Sequence, residues 1–552
     1  MQIDRLKALL GIKDAKVEIS KFADVTLLNY KNKLDSEYIE KVENVNIYTN
    51  VFLNYKKIVP LAFQKDEIES KYKNKTIILE HTSVNPNKAI HVGHLRNVYI
   101  GDFIRRILLF SGAKVKVANF IEDTGSQVAD IIIGLKIYNI DQNNKFDLEC
   151  AKIYKKINER YLTDENLLKE KKDLLKSIEE DENLLQQVKE IARRVLKGQL
   201  ETIIPQGVNY DYLTTESYLI KEGLIREAEK LLKENGIIEE VKDGKNKGCT
   251  VLKKKPNIIL RRSDGTALYL LKDITYALWK LKKIREEVKW ETFGKNLDGS
   301  EILISEERGN PKEIEDFDIN ITIVDSRQRS EQEEVAETVN SLNKSNEKSY
   351  EFLTYEPVAI SKKTAKYLGI ESEAEFLHMS GRKGIEVFAD ELINLIKEKL
   401  RGENKEKLAY NVIKYSMLKT SPTKMMIFDL DEAINIKGNT GLYVSYTLAR
   451  AKQVLNKATN IETSLDFDED EKNLIRQLLF WDEYIKRSLE NLDPSILVNY
   501  LYSICTEFNK FYEKNRIIGS QKEKERIYLV KLFVYVVENL FDLLGLFKLE
   551  KV

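Results

Sequence analysis

Residues 75–121 constrain the fold most. "KTIILEHTS" is an almost continuously apolar run that ends in polar residues, the pattern of a strand buried within a parallel sheet. "HLRNVYIGDFIRRILLFSGA" then places Leu95, Val98, Phe103, Ile107 and Phe110 at roughly helical spacing, with Gly112 as a stop. "KVKVANFIED" alternates like a second strand. Parallel strands need a crossover between them, so this order makes a βαβ unit, the seed of a doubly wound, Rossmann-like nucleotide-binding domain.

The chain, at 552 residues, is too long for a single hydrophobic core. Residues 1–70, with strand-like runs such as "VNIYTNVFLNY", are expected to form a small α+β domain. Residues 71–400 would be the catalytic-type α/β domain. Within it, about 142–235 is rich in lysine and glutamate with helical periodicity ("LLKEKKDLLKSIEEDENLLQQVKEIARRVLKGQL") and reads as a helical insertion, a solvated hairpin without chemistry. Strand-like segments return in "PNIILRRSDGTALYLLKDITYALWK" and "INITIVDSRQ". From 401 to 552 the pattern is helical, as in "ILVNYLYSICTEFNKFYEKNRII" and "RIYLVKLFVYVVENLFDLLGLF", and predicts a separate all-α domain.

Hydrophobic residues make up 42% and charged residues 32%, which suits a soluble protein with highly charged helix surfaces. No uncharged apolar run is long enough to span a bilayer and the amino terminus lacks a secretory core, so a cytosolic protein is expected. Cys150, Cys249 and Cys505 lie too far apart for a zinc ribbon or a disulfide framework. The 89 basic and 89 acidic residues cancel, so any nucleic-acid surface must come from local segregation of charge.

The loop between the first strand and its helix, "EHTSVNPNKAIHVGHLRN", holds three of the four histidines. A loop that leaves a parallel strand and enters a helix is where α/β domains bind phosphates, because free amides and the helix dipole point there. His91 and His94, three apart across Gly93, could both face that spot, and glycine lets a nucleotide approach the backbone. A metal site is the rival reading. His81 is the one further histidine nearby, and no His-Glu-x-x-His pattern or cysteine cluster completes a ligand set, so no metal ligands are assigned.

"HVGH" matches the HIGH signature of class I aminoacyl-tRNA synthetases, and "NPNKAIHVGHLRN" resembles its arginyl-tRNA synthetase form. The resemblance continues, in the family's order, through "IEDTGSQVAD", "SDGTALYLLKDITYALWK", "IVDSRQRSEQ", "HMSGRKG", "GNTGLYVSYTLARAK", "FNKFYEKNRI" and "LFDLLGL", covering about 80–552. It implies a small amino-terminal domain that contacts tRNA, a Rossmann-like catalytic domain and a helical anticodon-binding domain. The activity implied is formation of arginyl-adenylate from arginine and ATP with Mg2+. Transfer to the 3′-terminal ribose of tRNA(Arg) follows, by a monomer.

In adenylate formation the arginine carboxylate attacks the α-phosphate, so no protein base is required and catalysis is positioning plus charge stabilisation. The resemblance assigns His91, Gly93 and His94 to ATP, and Lys88 adds a positive charge. "HMSGRKG" stands where the family has its KMSKS loop, with Met379, Ser380 and Gly381 toward ATP. His378 and Gly381 replace the two lysines, so Lys88, Arg382 and Lys383 are the candidates to supply the missing charge. The amino-acid pocket maps onto Glu80, Asn85, Tyr269, Asp273 and Gln328. Tyr269 and Asp273, four apart, share a helical face and are expected to hold the guanidinium with Glu80, while Asn85 and Gln328 take the α-amino and carboxylate groups. Tyr443, Tyr446, Arg450, Phe508, Asn509, Tyr512 and Arg516 are the tRNA candidates. Leu442, Ser445 and Leu448 depart from the family's usual proline, glutamine and histidine. Two alternatives stand against this activity: a paralogue that keeps the fold but only binds RNA or charges a restricted tRNA set, and a class I-like ligase that joins an activated amino acid to a small amine or thiol, which should lack the long helical carboxy-terminal domain.

Overall fold

The computed structural model describes all residues except 14, 21–22, 31, 65–67, 125, 286, 344–348, 379–385 and 459–463, and the side chains of 176, 179 and 180. Two compact units result: one comprises 74–394 with 422–428, the other 1–73, 395–421 and 429–552.

The first unit is built on an eight-stranded sheet. Its strands are β1 (Thr76–Glu80), β2 (Lys114–Ile121), β3 (Tyr212–Thr215), β4 (Glu287–Lys295), β5 (Glu301–Ser305), β6 (Asn310–Glu313), β7 (Ile319–Asp325) and β8 (Tyr350–Tyr355). The order is β6-β4-β5-β3-β2-β1-β7-β8. Pairing from β5 through β8 is parallel, and β4 and β6 add an antiparallel edge. The chain moves outward from β1 to β3 on one side and later returns to place β7 and β8 on the other. The order therefore reverses between β1 and β7, and ligands of such sheets bind beside the carboxyl ends of the strands that part there. Glu80, paired across the sheet with Thr322 and Ala118, is the last residue of β1.

Four helices matter to the site: α1 (Val92–Phe110), α2 (Glu182–Ile203), α3 (Tyr269–Lys280) and α4 (Arg329–Ser341). The strand-like segment 256–280 divides into a strand, Ile258–Arg261, and α3, whose positions Ile274–Lys280 are all buried, so the helix is enclosed on every side over its second half. Its side chains share a core with Ile78 of β1, Trp290 of β4 and Val335 of α4.

The stretch 142–235 also differs from expectation. Helices Phe146–Tyr161, Glu165–Glu180 and α2 occupy its first part, but Tyr212–Thr215 is an interior strand, buried at every position. Four residues are too few to show a period against helix-rich flanks. Nor is the helical part a solvated hairpin: Val188 of α2 and Leu167 and Leu174 before it share a core with Val128, Ile132 and Ile133 of the helix Ser126–Ile137.

In the second unit, residues 1–73 form a four-stranded antiparallel sheet, in the order Val17–Ile19, Val25–Leu28, Tyr48–Leu53, Ile39–Val45, with two short helices. They pack on the helical part of the same unit. Buried Asp24 accepts Leu53 N at 2.7 Å and pairs with Arg476 at 3.0 Å, and Lys472 reaches Glu40 at 3.2 Å. Among the helices here are α5 (Gly441–Lys457), α6 (Pro494–Lys514) and α7 (Glu523–Leu544).

Candidate active site

The loop after β1 leaves the sheet through two unusual residues. Thr82 has φ 78° and Ser83 φ 43°, left-handed conformations that cost on the order of 1–3 kcal/mol each for residues with a Cβ. Two asparagines hold them: Asn97 Oδ1 accepts Thr82 N at 2.6 Å, and Asn119 Oδ1 accepts Ser83 N at 2.8 Å. Gln199 of α2 then fastens the loop, donating to Asn85 O at 3.1 Å and Lys88 O at 2.8 Å.

His91 is the N-cap of α1. Its Nδ1 accepts His94 N at 3.3 Å, and His94 Nδ1 accepts His91 N at 3.2 Å, a capping box made of two imidazoles. The rings stack with centroids 3.4 Å apart. Both rings keep a partly open edge but are otherwise enclosed. That loss of water pushes both pKa values far below the ordinary histidine value, His91 to about 3, with the charge of Lys88 adding to the effect. Each imidazole is therefore neutral near pH 7, and with Nδ1 accepting, each carries its proton on Nε2. The helix start thus presents two fixed Nε2–H donors without a fixed charge.

The segment after the HMSGRKG stretch is tied to this corner. Val92 N donates to Val387 O at 2.9 Å and Ala389 N to Ile90 O at 2.8 Å. Met379, Ser380, Gly381, Arg382 and Lys383 lie outside the described residues. Before them, His378 ends the strand Phe376–His378. After them, Glu386 pairs with Lys88, whose ammonium also lies 5.3 Å from the Tyr154 ring. The charge of Lys88 is thus already answered within the protein.

The opposite wall is acidic. Glu80 bonds through Oε2 to the ammonium of Lys280, 1% exposed, which sits 4.1 Å over the Tyr276 ring. Sequence reading missed Lys280, although its place seven residues after Asp273 on one helical face was a usable signal. Asp273 Oδ2 accepts Gln332 Nε2 at 3.2 Å, and Gln332 is oriented by Tyr350, whose hydroxyl donates at 2.6 Å. Asp273 keeps a partly open edge but is otherwise enclosed. Burial first, then Glu331 and Glu80, drive its carboxyl well above the usual range, and burial also raises Glu331. Tyr269, 61% exposed, stands at the mouth, and Gln328 is exposed where the turn after β7 enters α4. Glu80 thus lies near enough to Asp273 to act on its charge, and Tyr269 donates to Glu122 at 3.4 Å, with Asn85 beside that carboxylate.

In the helical unit, the Arg450 guanidinium stacks 4.9 Å from the Tyr446 ring and 5.1 Å from the Tyr512 ring, and donates to Asn509 Oδ1 at 2.7 Å. Asn509 donates in turn to Tyr443 Oη and Thr447 Oγ1, both at 2.9 Å. The outer rings of this stack are exposed, as is Arg516. Phe508 is a correction: it is 0% exposed and stacked 4.0 Å on Phe533, so its faces are taken by core and no base can reach them. Leu442, Ser445 and Leu448 are buried too, so the departures from the family there alter packing.

A parallel sheet with a histidine-capped helix at its switch point is the architecture of a class I synthetase catalytic domain. Residues 58–290 match the family model of the class I tRNA synthetase (R) catalytic domain, and residues 444–552 match the DALR anticodon binding domain. An arginine–tRNA ligase of Pyrococcus furiosus is 31% identical over 93% of this chain and 88% of its own, and one of Thermus thermophilus is 30% identical over 86% and 81%. The Thermus thermophilus arginyl-tRNA synthetase structure superposes with a TM-score of 0.85 at 25% identity, covering all of both chains. The chain belongs to the arginine–tRNA ligase family.

Proposed function

We infer that the protein activates arginine with ATP to arginyl-adenylate and transfers it to the 3′-terminal ribose of tRNA(Arg), releasing AMP and pyrophosphate. The observation that carries the mechanism is the mutual cap of His91 and His94. Its two Nε2–H groups donate to triphosphate oxygens as negative charge shifts onto the leaving pyrophosphate, and their geometry needs no reorganisation. Gly93 leaves room at the helix start, and Arg382 and Lys383 of the HMSGRKG stretch supply positive charge to the phosphates. Lys88, paired with Glu386, adds positive charge beside His91.

Arginine enters with its guanidinium toward Asp273, flanked by Tyr269. Glu80 shapes the pocket while its charge is held by Lys280. Asn85 and Gln328 take the α-amino and carboxylate end. An uncharged amino acid would bring Asp273 no cation, which is the source of selectivity. Among the described residues no cluster of His, Cys, Asp or Glu could hold a metal ion. The residues present fit Mg2+ carried on the phosphates of ATP, where it neutralises charge.

On the RNA side, the exposed stack of Tyr446, Arg450 and Tyr512 offers faces for unstacked anticodon bases, with Tyr443 and Asn509 holding Arg450 and with Arg516 reaching phosphate. Residues 1–70 contribute a reduced tRNA-contacting domain. The protein acts as a cytosolic monomer; no helix among the described residues is long and apolar enough to cross a membrane. The test is ATP–pyrophosphate exchange by His94→Ala: exchange should be lost while tRNA still binds. Intact exchange would remove the imidazole pair from the mechanism.

A further inference from the structure

Glu122 follows directly on β2, which ends at Ile121, beside the carboxyl end of β1. Its Oε1 lies 3.4 Å from the Tyr269 hydroxyl, which donates to it, and the Asn85 amide is near enough to favour its ionised form. Neighbouring Glu216 has partners of its own, Lys272 at 2.6 Å and the Thr124 hydroxyl. A half-buried carboxylate thus meets Tyr269, beside Asn85, and is in no ion pair of its own among the described residues.

We propose that Glu122 binds the α-ammonium group of arginine and is a specificity-determining residue for the amino-acid substrate. This rests on the pocket reading above. The guanidinium goes to the enclosed end of α3, at Asp273, one helical turn beyond Tyr269. The substrate carboxylate must reach the phosphates beside His91 and His94, on the side of the loop that carries Asn85. The α-ammonium is attached one carbon from that carboxylate, so the acidic group that meets it belongs where Glu122 stands, between Asn85 and the pocket mouth.

The electrostatics agree. Burial first, then Glu216, raise Glu122 to about 7, against smaller opposing effects of Lys272, Tyr269 and Asn85. A bound cation favours the ionised form. The free pocket gains a proton as pH falls through about 7, so the KM for arginine should rise below that pH and level off above it.

The experiment is arginine-dependent ATP–pyrophosphate exchange with tRNA present, inhibited either by agmatine, which keeps both cations, or by 5-guanidinopentanoate, which lacks the ammonium. Glu122→Gln should raise the arginine KM and the agmatine Ki about ten- to a hundredfold, with kcat and the 5-guanidinopentanoate Ki little changed. The rise of KM below pH 7 should also disappear. Equal weakening of both inhibitors would assign Glu122 to the guanidinium, and no weakening would make it structural; either overturns the proposal. Asp273→Asn run alongside should weaken both inhibitors, and if it weakens neither, the pocket reading fails and Glu122 falls with it.

Discussion

The two walls of the active site meet the same problem with opposite chemistry. On the phosphate side, enclosure pushes the imidazoles of His91 and His94 down, so they stay neutral and offer only donors. On the amino-acid side, enclosure pushes Asp273, Glu331 and Glu122 up, toward the neutral form. Loss of water moves bases and acids alike toward neutrality. Charges that remain, in Lys280 with Glu80, Lys88 with Glu386 and Lys272 with Glu216, are paired internally. Under the proposed function, charge would arrive with the substrates, anionic phosphates on one side and cationic arginine on the other.

The sharpest way to break this contrast is to strand one of the paired charges. Lys280→Met leaves Glu80 buried and unpaired and should cost about 3–5 kcal/mol of unfolding free energy, measured by denaturant titration, with much of it regained in Lys280→Met/Glu80→Gln. A single variant as stable as the parent would mean that the pair is not dry. Next, His94→Ala should lower the rate of adenylate formation by about 10²- to 10³-fold, the loss of one transition-state donor, with tRNA affinity unchanged in a filter-binding assay. Asp273→Asn should raise the arginine KM by about ten- to a hundredfold with a smaller change in kcat. The smallest effect concerns His81, fully buried and held down to about 4. Below about 6.5 the unfolded chain takes a proton that the folded one refuses, so stability from this group falls as pH drops. The gap in unfolding free energy between the parent and His81→Asn should narrow by about 1 kcal/mol between pH 7 and 5.5, and a constant gap would refute the burial argument.

The parts of this site that the sequence displays are those set by local pattern. The run from Lys75 to Ile121 shows its strand, helix and strand because each has a full period of buried positions. His91, His94 and Asp273 stand out because motif and spacing place them. What stayed hidden depends on partners distant in the chain. Lys280 is an ordinary helix lysine until β1 sets Glu80 beside it, and Gln199 is one polar residue in a charged helix until it holds the loop at Asn85 and Lys88. Phe508 erred the other way: it lies within a helix whose Tyr512 is exposed, and which ring faces out is decided by Phe533 of α7. The strand Tyr212–Thr215 escaped because its burial comes from β2 and β5, not from its own four residues.

The central claim, that neutral imidazoles and an acid-lined pocket together activate arginine on ATP, is tested most directly by ATP–pyrophosphate exchange. The purified protein would be assayed with arginine, lysine or glutamine, with and without total tRNA. Exchange confined to arginine, in the presence of tRNA, is the predicted result. A folded, tRNA-binding protein that gives no exchange with arginine under any of these conditions would contradict the account.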